Sequence, residues 1–294
     1  MELRILHYFL TVARKENISA AANYLHISQP TLSRQLMDLE KELGVTLFIR
    51  GNRKITLTPE GVLFRKRAEE ILELVSKTKT EFLSSSEIIS GDIYIGAGET
   101  YVMQGIAKII REIQEEYPNI RFHLFSGNAD DVTERLDKGL LDFGVLIEPA
   151  DTTKYNTIQL RESDTWGILM RRDSGLASKD TISPKDLWNA SLISSRQTLV
   201  SNEISRWIKK DYNELNIVAT YNLVYNASLL VEEGVGYALV LDKLINTNPN
   251  SSLCFRPLEP KLESKLNIVW NKHQVFSRAS EIFLKKIENS FKRN

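Results

Sequence analysis

Apolar positions along this chain change their period, and the changes mark out its parts. In the N-terminal stretch they recur at helical spacing: Leu6, Phe9, Leu10 and Ala13 share one face of a helix predicted over Leu3 to Lys15. Leu32, Leu36, Leu39 and Leu43 then follow at steps of four, three and four, on a helix that begins near Gln29. Ser28 is a good N-cap for it, and Pro30 is tolerated in its first turn, where backbone N–H groups lack intrahelical partners. Upstream, Ala20, Ala21 and Ala22 are small enough to let two helices approach closely, and Leu25 and Ile27 close the corner between them. The segment ISAAANYLHISQPTLSRQLMDLEKEL therefore predicts a helix-turn-helix over about 18–37, with His26 at the turn, where glycine is common.

Two short β-like runs around Gly51 and Asn52 come next, within Thr46 to Gly61, and they predict a hairpin wing. Helical spacing returns from Pro59 to Glu87, where Phe64, Ala68, Ile71, Val75, Thr78 and Phe82 form a seam of the coiled-coil kind. A long helix with one such stripe cannot bury it alone, so the seam predicts dimerisation; packing on the next domain of the same chain is the alternative. After the polar hinge SSSEIISG the period shortens to that of strands alternating with helices, which predicts parallel α/β units. Strands are expected over GDIYIGAGE, Ile120–Ser126, Asp142–Ile147, Trp166–Arg171, Leu192–Ser195, Val218–Leu223, Tyr237–Leu241 and Leu266–Trp270, with helices between them over Tyr101–Tyr117 and Ala129–Lys138 and beginning near Ser183, Ser201 and Asn226, and a last one over Val275–Phe291.

Polar residues on the helix beginning near Gln29 carry the chemistry of the N-terminal part. Gln29, Thr31, Ser33, Arg34 and Gln35, with Pro30 among them, lie opposite the leucine stripe and offer amide, hydroxyl and guanidinium groups suited to base edges and phosphates in a major groove. Arg50, Arg53 and Lys54 sit near the tip of the wing, placed for phosphate contact, and Arg4 is a further cation near the first helix. Lysine plus arginine and aspartate plus glutamate are equal at 38 each, so no global field draws the chain to nucleic acid and attraction must come from such local clusters. A single cysteine, Cys254, excludes an intrachain disulfide and fits a reducing compartment. The charged N-terminus is unlike a signal peptide and no apolar run reaches membrane length, so a cytoplasmic protein without membrane association is expected. The histidines His7, His26, His123 and His273 are scattered, and no metal-ligand spacing, phosphate loop or nucleophile elbow occurs. No catalytic residue, metal or cofactor is expected.

Several motifs stand in one register: the helix pair, SQPTLSRQL, ELGVTLFIR leading into the wing and LTPEG leading into the long helix. On these the first sixty or so residues closely resemble a LysR-type transcriptional regulator. The remainder resembles that family's effector-binding domain through GDIYIGAGE, DDVTERLDKGLLDFGVLI and LLVEEGVGYALVL, so the likeness covers the whole chain. It implies an α+β, two-part protein: a winged helix-turn-helix over 1–58, a linker and dimerisation helix over 59–88, and a two-lobed α/β domain like a periplasmic binding protein over 89–294. Lobe I would comprise 91–161 and 266–294, and lobe II 162–265. It further implies a sequence-specific regulator that binds double-stranded promoter or operator DNA, assembles as a homodimer or homotetramer, works with RNA polymerase and responds to a small-molecule effector. The alternatives are a solute-binding protein, which would need an export signal and have no use for a helix-turn-helix, and a non-specific DNA-binding protein without effector control.

Effectors in open α/β sheets bind beyond the carboxyl ends of strands, at helix N-termini. That rule selects Glu99, Thr100 and Tyr101 after the first strand of the α/β part, Ser126, Gly127 and Asn128 after the second, and Glu148 after the third. In lobe II it selects Ser194, Ser195 and Arg196, and then Asn226. The resemblance places effector contacts at Thr100, at Asn128 and around Ser194 to Arg196. Each hydroxyl or amide taken singly is also explained as an ordinary helix cap. Arg196 beside two hydroxyls would suit a carboxylate, whereas Glu99 would either occupy the place of an anionic ligand or bind the cationic end of a zwitterion. An effector with an amine as well as an acid group meets both demands.

Overall fold

The computed structural model describes residues 1–51, 54–83, 89–195 and 203–291. Two compact units divide between Leu83 and Ser84. In the first, α1 (Leu3–Lys15), α2 (Ile18–Tyr24) and α3 (Gln29–Leu43) precede a two-stranded antiparallel wing, β1 (Phe48–Arg50) with β2 (Ile55–Leu57), and the long helix α4 (Pro59–Leu83). Capping starts the two middle helices: the Asn17 side chain accepts the Ala20 N–H at 2.9 Å, and the Ser28 hydroxyl accepts the Thr31 N–H at 3.3 Å. His26 holds the turn between them at φ 54°, the left-handed conformation that glycine adopts without a Cβ penalty. Gly44, at φ 69°, ends α3 in the same region.

Leu32, Leu36 and Leu39 are fully buried, as their stripe predicts, while Leu43 in the last turn is exposed. On α1 the buried line is Ile5, Leu6, Phe9 and Val12, rotated from the predicted face so that Leu10 and Ala13 are only half-buried. Phe9 is the centre: its ring meets Phe48 at 5.0 Å and the edge of Phe64 at 4.8 Å between centroids. That last contact corrects the reading of the α4 seam. Phe64, Ala68 and Ile71 join the core made by α1, α3 and the wing of their own chain, so the first half of the stripe faces inward. The physical reason is that α1 and β2 present apolar surface on which the first half of α4 packs. Val75 is half-buried, Thr78 is exposed with its hydroxyl donating to the Leu74 carbonyl, and the Phe82 side chain lies outside the described residues. Among the described side chains, the large apolar ones that α4 exposes are Val62, Leu63 and Leu74.

The second unit is a mixed sheet bent into two lobes. Lobe I holds β3 (Gly91–Ala97), α5 (Met103–Glu116), β4 (Ile120–Ser126), α6 (Ala129–Asp137) and β5 (Phe143–Ile147), with β3 parallel to both β4 and β5. β6 (Tyr155–Arg171) then runs through both lobes. Lobe II adds α7 (Pro184–Leu187), β7 (Leu192–Ser195), α8 (Glu203–Ile208), β8 (Ile217–Tyr221), α9 (Val224–Glu232), β9 (Tyr237–Leu241) and β10 (Leu253–Pro257). β11 (Glu263–Asn271) returns antiparallel to β6, and α10 (Arg278–Phe291) packs on lobe I. Strand order is β4-β3-β5-β11-β6-β9-β7-β8, with β10 on the flank of β6. The crossing is thus made by two long paired strands whose register shifts between Lys265 and Asn267.

β6 is much longer than the predicted Trp166–Arg171. Its first half buries only Tyr155, Ile158 and Leu160 among polar neighbours, a weak apolar signal, and it is held by its ladder to β11. β10, which carries buried Cys254, was not predicted at all. Each lobe has its own core, around Ile93, Ile106, Phe143 and Phe283 in lobe I and around Ile168, Ile208 and Leu239 in lobe II. Most of the hinge at 84–91, and the helix start at Ser201, lie outside the described residues.

Candidate functional site

In the first unit the buried leucines of α3 turn its polar face outward. Gln29, Pro30, Thr31 and Arg34 are exposed, and Ser33 and Gln35 half-buried. The Thr31 hydroxyl lies 2.7 Å from that of Ser28, so it is partly committed to the cap. Arg34 makes no ion pair or hydrogen bond among the described residues and is free to reach a partner. Arg50 leans back onto α3, with Nη1 3.5 Å from the Ser33 hydroxyl and Nη2 3.5 Å from a carboxylate oxygen of Glu40. Glu40 was not picked out from sequence, yet its other oxygen accepts the N–H groups of Leu47 (2.7 Å) and Phe48 (3.1 Å) and so fixes where the wing leaves the helix. Lys54 pairs with Glu16 at 2.7 Å on the surface, a contact weak enough to be exchanged for a phosphate. Arg53 lies outside the described residues.

In the second unit, a cleft of about 640 Å³, its open mouth included, lies between the lobes. Strand ends bring Glu99, Gly127, Asn128 and Glu148 to it from lobe I and Ser195 from lobe II. Asn128 also caps α6: its side chain accepts the Asp131 N–H at 2.9 Å, and the Asp131 carboxylate accepts the Asn128 N–H at 3.2 Å. Glu148 accepts amide hydrogens from Asn267 (2.8 Å) and Gln159 (3.2 Å), both on the crossing strands.

Other selected residues lie elsewhere. Thr100 is buried and caps the approach to α5, its hydroxyl accepting the Val102 N–H at 3.0 Å. Asp164 on β6 has one buried carboxylate oxygen without a hydrogen-bond partner; burial holds its carboxyl above the usual aspartate range, Thr100 and Tyr101 oppose the rise, and Asp242 adds to it. Tyr101 is exposed in a separate depression, beneath the Lys243 ammonium at 4.9 Å from its ring centre. Ser126 is exposed at the end of β4, Ser194 is buried in the interior of lobe II, and Asn226 is exposed in the first turn of α9. Arg196 lies outside the described residues.

Sequence reasoning missed the apolar wall of the cleft: Trp166, Ile204, Tyr221, Leu241 and Leu244. An apolar residue at a strand end has the same pattern as a core residue, so only the fold distinguishes them. It also missed the partner of Glu99. A Glu99 carboxylate oxygen accepts the backbone N–H of Val224, the first residue of α9, and so bridges the lobes. Leu223 stands at the N-cap there without a side chain able to accept, and Glu99 supplies what it lacks. The Tyr221 phenol, whose hydroxyl donates to the Leu239 carbonyl at 2.7 Å, is pushed well up by burial and by the Glu99 charge.

A winged helix-turn-helix with an outward polar recognition face, on one chain with a two-lobed α/β sensor, defines the class: a DNA-binding transcription regulator under small-molecule control. Residues 3–62 match the bacterial regulatory helix-turn-helix protein of the lysR family, and residues 87–292 match the LysR substrate binding domain. The chain belongs to the LysR family of transcriptional regulators. It is 31% identical over 220 residues, 74% of each chain, to the HTH-type transcriptional regulator BsdA of Bacillus subtilis (strain 168). It is 28% identical over 281 residues, 94% of this chain and 93% of the other, to HcaR, the Hca operon transcriptional activator of Escherichia coli (strain K12). The solved structure of full-length CbnR complexed with its target DNA has the same fold, with a TM-score of 0.76 at 22% identity over 99% of this chain and 100% of that one. No helix among the described residues is long and apolar enough to cross a membrane.

Proposed function

We propose that the α3 face reads promoter or operator DNA through Gln29, Thr31, Ser33, Arg34 and Gln35, with Pro30 shaping its first turn and Arg50, Arg53 and Lys54 contacting phosphates. The protein works in the cytoplasm as a homodimer or homotetramer, adjusts the access of RNA polymerase, and takes its effector between the lobes of the second unit. One observation carries the DNA reading: the apolar side of α3 is consumed by the core while Arg34, on its polar side, has no partner among the described residues. The effector reading is supported by strand ends and helix N-termini of both lobes meeting in one cleft. Assembly is supported by Val62, Leu63 and Leu74, apolar and exposed on α4.

The test is binding of the purified protein to DNA upstream of its own gene and to random DNA of equal length, at two salt concentrations. Tighter binding to the upstream fragment is expected. Arg34→Ala should remove about 1–3 kcal/mol of the preference if Arg34 reads a base. Lys54→Ala should weaken both DNAs alike and lower the salt slope by about one. Equal losses on both DNAs for Arg34→Ala would remove it from base readout.

A further inference from the structure

Among the described residues that line the interlobe cleft, the charged ones are two carboxylates, Glu99 and Glu148, and neither has an ion-pair partner. Glu148 takes its hydrogen bonds from neutral amides, and Glu99 from a backbone N–H. Glu99 thereby occupies the N-terminus of α9, the place where lobe II would otherwise offer a free N–H to an anion. At that N-terminus an external carboxylate would have to displace Glu99, a like charge, to reach the Val224 N–H.

An ammonium meets the opposite situation. It carries three donors and no acceptor, and the cleft presents it with carboxylate oxygens in a partly desolvated setting. Tyr221 lines the same cleft with its hydroxyl committed to the Leu239 carbonyl, which leaves its ring as the group available to a cation. Trp166 likewise has its indole N–H engaged, by the Ser264 hydroxyl at 2.8 Å, and with Leu241 and Leu244 it offers apolar surface. We propose that the effector is a small organic amine, its ammonium held by Glu99 and Glu148 and its apolar body laid against Trp166, Tyr221 and Leu241. This rests on the cleft being the effector site. The amine competes with the Val224 N–H for Glu99 and so acts on a bond that joins the lobes across the cleft.

Calorimetry of the full-length protein with two matched ligand sets tests it: hexylamine, hexanol and hexanoate, and phenethylamine, phenethyl alcohol and phenylacetate. An amine is expected to bind at least roughly tenfold more tightly than the carboxylate of its set. Glu99→Gln, which keeps an acceptor for Val224, should remove that advantage, and Glu99→Asp, which keeps the charge, should retain it. A carboxylate that binds more tightly than its amine, with the order unchanged in Glu99→Gln, would overturn the amine class while leaving the cleft as effector site. Failure of every ligand in both sets to bind would overturn both.

Discussion

Asp92 on β3 shows how single side chains couple this structure to pH. Burial opposes its ionisation, but hydrogen bonds from Arg121 (2.8 and 3.0 Å) and His123 (3.0 Å), and their charges, outweigh it and hold the carboxyl below its usual value. A depressed carboxyl contributes stability that is present above the unfolded value of about 3.9 and is lost as pH falls through the folded one. Asp92→Asn should therefore cost about 1 kcal/mol near neutrality, since Arg121 is largely exposed. Denaturant titrations of the two proteins should converge below roughly pH 3. A constant difference across that window would assign the loss to packing instead. Residues acting on their own neighbours were legible in this way from sequence: Ser28 as a cap, His26 as a turn, Asn128 as a cap at a strand end. Glu99 was legible as a carboxylate in a place that matters, but its partner Val224 is 125 positions away and no local pattern names it.

The elements differ in how much of their sequence signal concerns their own chain. α3 reads plainly because its two faces have different compositions and a clean period. α4 misleads because a stripe at steps of three and four says that a helix has an apolar side and nothing about who covers it. Phe64, Ala68 and Ile71 are covered from within, whereas Leu63 is 60% exposed. Leu63→Glu should then leave the thermal midpoint nearly unchanged and lower the mass measured by light scattering, while Phe64→Ala should cost about 2–3 kcal/mol, below the loss for a fully buried aromatic because Phe64 is partly exposed. If Leu63→Glu leaves the mass intact, assembly uses another surface. β6 belongs to the same lesson, since its first half owes its strand conformation to β11 more than to its own residues.

At the scale of the molecule, the two units have separate cores and different ligands. Binding stabilises the unit that binds, by about 2.7 kcal/mol at a ligand concentration one hundred times Kd. Calorimetric unfolding should show operator DNA raising the transition of residues 1–83 and a cleft ligand raising that of residues 84–294, each assigned by tryptophan fluorescence, because all four tryptophans lie in the second unit. A single transition that both ligands shift equally would mean that the units unfold together. Regulation requires some coupling, and the size of the cross-effect of one ligand on the other's transition measures it.

What the sequence determined by itself is what depends on near neighbours: helices with one apolar face, their caps and turn, the alternation of strands and helices, and the family likeness those motifs carry. Tertiary structure alone decided which apolar stripe is core and which is surface, because burial depends on segments distant in the chain. It also decided which strand ends share a cleft. Thr100, Ser126 and Ser194 satisfied the same strand-end rule as Gly127 and Ser195, yet the pleat and the crossing of β6 and β11 turned them elsewhere. The bond from Glu99 to the first turn of α9 exists because two lobes, built from separate stretches of sequence, are closed upon each other.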